Sequence, residues 1–246
     1  IFDEIGLLNI EKAAESANKK VIAHIKIDTG MGRVGINWEN AVEFVEKVAS
    51  SKWLNLKGIY THFANSDHLD KSFAHLQLAR FNNILKELDQ KGIDIPIKHA
   101  ANSGSILDIP ESYFNMVRPG ILIYGNYPSG TTTESVELKP ALQFTSKVLH
   151  LKDIAKGDSI SYDRMFIAPK PTRIATIPVG YADGYNRLFS NNGQVLINGE
   201  KFPIVGRVTM DLLMVDLGNN KKIKIGDEVI FLGTQKNQEI SIYQLS

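Results

Sequence analysis

Arg118-Pro119-Gly120-Ile121 sets a guanidinium beside backbone that no side chain obstructs, an arrangement suited to an anion held by peptide N–H groups. A turn arginine paired with a nearby carboxylate would leave the same trace. Asn102-Ser103-Gly104-Ser105 opens a short helix, where a cap and an anion ligand need the same geometry. His62 and His99 each lie at or near an expected strand end, a place for either a satisfied core imidazole or an acid/base. Three glycines, a cation (Arg33) and an anion (Asp28) fall between Asp28 and Gly35, just after Lys26, more chemistry than a plain connector needs. In the second half, Tyr162 follows a turn in Ser161-Tyr162-Asp163; a tyrosine serves as a general acid/base when cationic neighbours lower its pKa from about 10. Val179 to Arg187, with Tyr181, is dense in glycine, tyrosine and charge, and Gly206-Arg207-Val208-Thr209-Met210-Asp211 reads as a strand ending in a polar loop. Aromatic packing on a sheet with loop charges accounts for the tyrosine stretches, and an ordinary buried strand for residues 206–211. The histidines lack metal-ligand spacing, and with no cysteine and scattered carboxylates no metal is assigned.

The elements that must position these groups alternate. Strands are expected at Val21–Ile27, Leu56–Phe63, Ile95–Ala101 and Phe114–Val117, each followed by a polar group. Helices are expected at Glu4–Lys20, Asn40–Ser50 and Ser72–Lys91, the last stopped by Gly92. This is the pattern of a parallel α/β fold. Four strands in residues 1–136 make about half of a closed eight-stranded barrel, which takes roughly 250 residues. Taken as the last four strands, they put Ser103 and Gly120 where such barrels hold a phosphate. His24 lies on the opposite face of its strand from Ile25 and Ile27 and is given no role.

After Tyr124 the texture changes. Gly125–Val136 reads as a linker, and residues 137–246 as an all-β domain, incomplete at its end, with a type I′ hairpin at Asn198-Gly199 and turns at Gly157-Asp158 and Gly226-Asp227. The expected class is therefore α/β plus all-β: the C-terminal half of a (β/α)8 barrel, then a separate β domain.

Composition limits the partners. A net charge of +1, from 28 basic and 27 acidic residues, offers no footprint for nucleic acid or an anionic membrane. The absence of cysteine excludes disulfides, thiolate metal sites and a cysteine nucleophile. No apolar run reaches the length of a membrane span and no signal segment opens the chain, so a cytoplasmic location is expected. Ile1 falls within a helix-like stretch, so the natural start is expected to lie upstream.

Together the stretches KIDTGMGRVG, THF, HAANSGS, MVRPGILIYG, SISY, IPVGYADGYNR and IVGRVTMD, in that order from Lys26 to Asp211, resemble bacterial alanine racemase, a homodimeric pyridoxal 5′-phosphate enzyme with a barrel and a β domain. The resemblance implies that Ser103 (with Asn102 beside it), Gly120 and Ile121 hold the cofactor phosphate. It implies that Arg118 faces the pyridine nitrogen, buttressed by His62 and His99. Arg33 would contact the phenolic oxygen and the substrate carboxylate, oriented by Lys26, which is carbamylated in some relatives. Tyr162 would be a catalytic base and the Met210 backbone a substrate contact, both given to the partner subunit, with Tyr181, Arg187, Arg207 and Asp67 lining the substrate channel. The implied substrate is alanine, and the implied role is D-alanine supply for the bacterial cell wall.

Two features depart from the pattern. The lysine that anchors the cofactor in this family has no counterpart here, so the 246-residue chain alone is expected to be inactive. Asp163 stands where glycine often follows the catalytic tyrosine. Basic amino-acid decarboxylases share the architecture but use a β-domain cysteine and a glycine-rich phosphate loop, against no cysteine and Arg118-Pro119-Gly120 here. Non-catalytic pyridoxal-phosphate carriers of the single-barrel kind lack the β domain.

Overall fold

Asp3 starts the first helix, its carboxylate accepting the Gly6 N–H at 2.6 Å, and α1 (Glu4–Ser16) follows. The computed structural model describes residues 1–245, and the chain divides into two compact units, Ile1–Lys139 and Pro140–Ser246.

In the first unit β1 (Val21–Asp28), β2 (Ile36–Asn37), α2 (Ala41–Ala49), β3 (Leu54–Tyr60), α3 (Ser72–Gln90), β4 (Ile97–His99) and α4 (Ser103–Asp108) follow in order. The strands form one parallel sheet in the order β2-β1-β3-β4. Ile25, Ile27 and Ile59 enter an apolar core with Phe44, Val45 and Val48 of α2 and Phe81, Ile84 and Leu88 of α3. Because side chains alternate along a strand, His24, Lys26 and Asp28 leave on the other face. Gly92, at φ 72°, takes the left-handed turn that ends α3.

The expected strand at Phe114–Val117 does not form. Phe114 has a φ of 48°, and the Asn115 side chain takes a place that backbone would fill in a ladder: its Oδ1 accepts the Lys98 N–H at 2.8 Å. The segment still runs beside β4, with Arg118 N donating to Ala101 O at 2.9 Å. The other strands and helices match their expected positions to within a few residues, α1 ending four residues early.

The second unit is all β among the described residues, with single-turn helices in its loops. It comprises β5 (Phe144–Lys147), β6 (His150–Ile154), β7 (Ser159–Ile160), β8 (Phe166–Ile167), β9 (Thr172–Ile177), β10 (Gln194–Ile197), β11 (Glu200–Val205), β12 (Leu213–Asp216), β13 (Glu228–Gln235) and β14 (Gln238–Ile240). The main sheet runs β14-β13-β10-β11-β12-β9-β6, with β5 on β13, and β7 pairs with β8. The β10–β11 hairpin turns through Asn198 (φ 54°) and Gly199 (φ 83°), both left-handed as a type I′ turn requires. Ile177, Val195, Ile197, Ile204, Val215 and Phe231 fill its core.

Candidate active site

In the first unit the register of the sheet lines up polar groups. Lys26 of β1 is level with Tyr60 of β3, which is level with His99 of β4. One residue pair earlier on the same face, His24 is level with Gly58. Tyr60 stacks on His99 with ring centroids 4.6 Å apart, and the Lys26 amine lies 6.0 Å from the Tyr60 ring centre.

Arg118 reaches this face from the segment after β4. Its guanidinium contacts His99 Nδ1 at 2.6 Å and His62 Nδ1 at 3.3 Å, and donates to Thr61 O at 2.8 Å and Ala100 O at 3.1 Å. A guanidinium only donates, so both imidazole Nδ1 atoms accept and both rings are neutral, with their protons on Nε2. Burial first, and the Arg118 charge second, lowers the His62 pKa to about 4 and that of His99 to about 3. His99 Nε2 therefore donates to His24 Nδ1, at 3.0 Å. His24, assigned no role from the sequence, is the outer end of the chain His24–His99–Arg118.

That chain depends on Gly58, because a β-carbon there would overlap the His24 ring. Gly58→Ala is expected to expel the ring and destabilise the protein by about 1–3 kcal/mol. Urea unfolding measures this, and adding His24→Ala should recover most of the loss.

Ser103, at the start of α4, accepts the Gly120 N–H at 2.9 Å and the Leu122 N–H at 3.5 Å through its hydroxyl. The Ile121 N–H donates no hydrogen bond among the described residues. A β-carbon on Gly120 would touch the Ser103 hydroxyl at 3.7 Å, so glycine keeps the space over it open. Asn102 caps the helix, accepting from Ser105 N at 3.2 Å and from the Ser66 hydroxyl at 2.6 Å.

Asp28 folds the glycine loop onto itself, accepting the Gly30 and Gly32 N–H groups at 2.9 and 3.0 Å. The buried Lys26 amine has its pKa lowered by desolvation first and by Arg33 second. Arg33 itself is exposed and makes no hydrogen bond or ion pair among the described residues. Asp67 uses its carbonyl, which accepts the Ser129 and Thr131 hydroxyls at 2.7 and 2.6 Å and so ties down the segment after Tyr124. Gln77 and Arg80 of α3, also absent from the sequence reading, hold the loop: Gln77 donates to Thr29 Oγ1 at 3.2 Å and Arg80 to Thr29 O at 2.7 Å.

In the second unit Tyr162, Tyr181, Arg187, Arg207 and Met210, far apart in sequence, line one cavity of about 480 Å³. Gly180 packs so closely on the Thr209 and Met210 carbonyls that no β-carbon fits, which lets Tyr181 N and Ala182 N each donate to them at 3.0 Å. The Met210 N–H makes no hydrogen bond among the described residues and is free for a ligand. The Arg187 guanidinium lies 5.7 Å from the Tyr181 ring centre. Tyr162 is 69% exposed and follows Ser161, with Asp163 next at a φ of 59° and paired to Arg207 at 2.6 Å. Among the described residues no group of three or more His, Asp or Glu could hold a metal ion, and no helix is long and apolar enough to cross a membrane.

Comparison with known proteins identifies the family of both units. The family model "Alanine racemase, N-terminal domain" matches residues 1–128, and "Alanine racemase, C-terminal domain" matches residues 141–246. Alanine racemase 2 of Caldanaerobacter subterraneus subsp. tengcongensis is 44% identical over 241 residues, covering 98% of this chain and 62% of that protein. The alanine racemase structure of Clostridium difficile 630 matches with a TM-score of 0.94 at 36% identity, over 100% of this chain and 64% of that one. The alanine racemase of Bartonella henselae with covalently bound pyridoxal phosphate matches at 0.83 and 31%, over 97% and 64%. The chain thus spans less than two thirds of the length of these proteins. Matched over both of its units, the chain belongs to the alanine racemase family.

Proposed function

We propose that the protein interconverts L- and D-alanine with pyridoxal 5′-phosphate, at sites that each draw on two chains of a homodimer. The observation that carries this reading is the Arg118 guanidinium, held among neutral His62 and His99. Such a group donates to a pyridine nitrogen and leaves it without a proton. The other residues fit the cofactor too: the Ser103 hydroxyl, the Gly120 backbone and the free Ile121 N–H suit its phosphate. The pyridoxal phosphate on the Bartonella henselae relative supports the same assignment.

When bound, the cofactor would supply the sink for the electrons left as the α-proton departs, and Arg118, by keeping the ring nitrogen unprotonated, would temper it. The chain's own residues then do the rest. Arg33 meets the substrate carboxylate and the phenolic oxygen. A carbamate on Lys26 would turn its present repulsion of Arg33 into attraction and fix the guanidinium. Tyr162 takes or returns the proton on one face, the Met210 N–H meets the carboxylate, and both come from the partner subunit. Tyr181, Arg187, Arg207 and Asp67 line the channel. The test is direct: the full-length protein, given pyridoxal 5′-phosphate and L-alanine, should accumulate D-alanine to an equal mixture. Ser103→Ala should need about tenfold more cofactor for half-saturation, from one lost charge-assisted hydrogen bond. A full-length protein that binds the cofactor and forms no D-alanine contradicts the assignment.

A further inference from the structure

Tyr162 sits in a stretch of unusual backbone. Ser161, Asp163 and Arg164 have φ values of 67°, 59° and 51°, so three of the four residues 161–164 are left-handed without being glycine. Side chains with a β-carbon rarely adopt that conformation unless their surroundings impose it.

The surroundings are residues 206 and 207. On one side of Tyr162, the Ser161 hydroxyl donates to Arg207 O at 2.8 Å. On the other, Asp163 Oδ2 lies 2.6 Å from Arg207 Nη2. Arg207 Nε also reaches Met165 Sδ at 3.3 Å. Gly206, at φ 75°, lets the loop lie directly on the strand end, since a β-carbon there would come within 2.7 Å of the Ser161 β-carbon. Both neighbours of the tyrosine are thus tied to a single residue.

We propose that Asp163 is a positioning residue: its ion pair with Arg207, together with the Ser161 tether, holds the left-handed backbone that aims the Tyr162 phenol. The inference rests on Tyr162 acting as a base. An exposed ion pair adds little to global stability, so its effect falls on the loop and on the rate, not on unfolding.

The experiment uses the full-length, cofactor-loaded enzyme and the variants Asp163→Ala, Asp163→Asn and Tyr162→Phe. Asp163→Ala should speed amide hydrogen exchange at residues 161–165 about tenfold and lower kcat about tenfold, with KM within about twofold and Tm unchanged. Asp163→Asn should recover part of both losses, since asparagine tolerates left-handed backbone and still accepts from Arg207. Wild-type exchange in the loop after Asp163→Ala would overturn the proposal. So would faster exchange with an unchanged kcat, or a kcat loss accompanied by faster exchange throughout the second unit. If Tyr162→Phe keeps a near-normal rate, it is the base assignment that fails, and the exchange data alone then decide whether the tether exists.

Discussion

Tyr162→Phe in the full-length protein is expected to lower racemisation about 10²- to 10⁴-fold while leaving the cofactor bound, because under the proposed assignment it removes a proton carrier and no cofactor contact. L- and D-alanine have equal free energies, so kcat/KM must fall by the same factor in both directions. The diagnostic lies in the proton itself. With one face still served, the enantiomer whose α-proton points away from Tyr162 should continue to exchange it with deuterated solvent, and the other should not. Near-normal racemisation, or exchange lost equally from both enantiomers, would show that Tyr162 is not the base on one face.

Arg118→Glu should have an effect of similar size through a different cause. A guanidinium surrounded by acceptors becomes a carboxylate, and the two histidines that Arg118 holds neutral gain an anionic neighbour. Their pKa values, about 4 for His62 and about 3 for His99, should rise, since the second cause of each depression is removed and its sign reversed. If residue 118 faces the ring nitrogen as proposed, the carboxylate would also favour a proton there and strengthen the electron sink. The racemisation rate should fall about a hundredfold and a long-wavelength absorbance band should appear during turnover. An unchanged rate and spectrum would mean that Arg118 does not face the ring.

The sequence shows the site well where a single strand end carries the chemistry. His62, His99 and Arg118 each fall at or near the end of an expected strand, and the fold brings all three together. Asn198-Gly199 specifies its hairpin through local backbone preference alone. His24 was illegible for the opposite reason: its role needs Gly58 on the neighbouring strand and His99 on the next, and register between parallel strands is not written in either one. The missing strand at Phe114–Val117 has the right apolar character, but a left-handed Phe114 and the Asn115 side chain replace the ladder. Arg33 shows a third limit, since its motif is plain while its guanidinium has no partner among the described residues to fix it.

Sharing of each site between two chains is tested most directly by subunit exchange. One full-length chain carries Arg118→Ala, which damages the cofactor side, and the other carries Tyr162→Phe, which damages the donated side. If sites are shared, about half of the dimers are mixed and each contains one undamaged site of two, so about a quarter of wild-type activity should return above the two parent preparations. If each chain completes its own site, every site keeps one defect and mixing restores nothing.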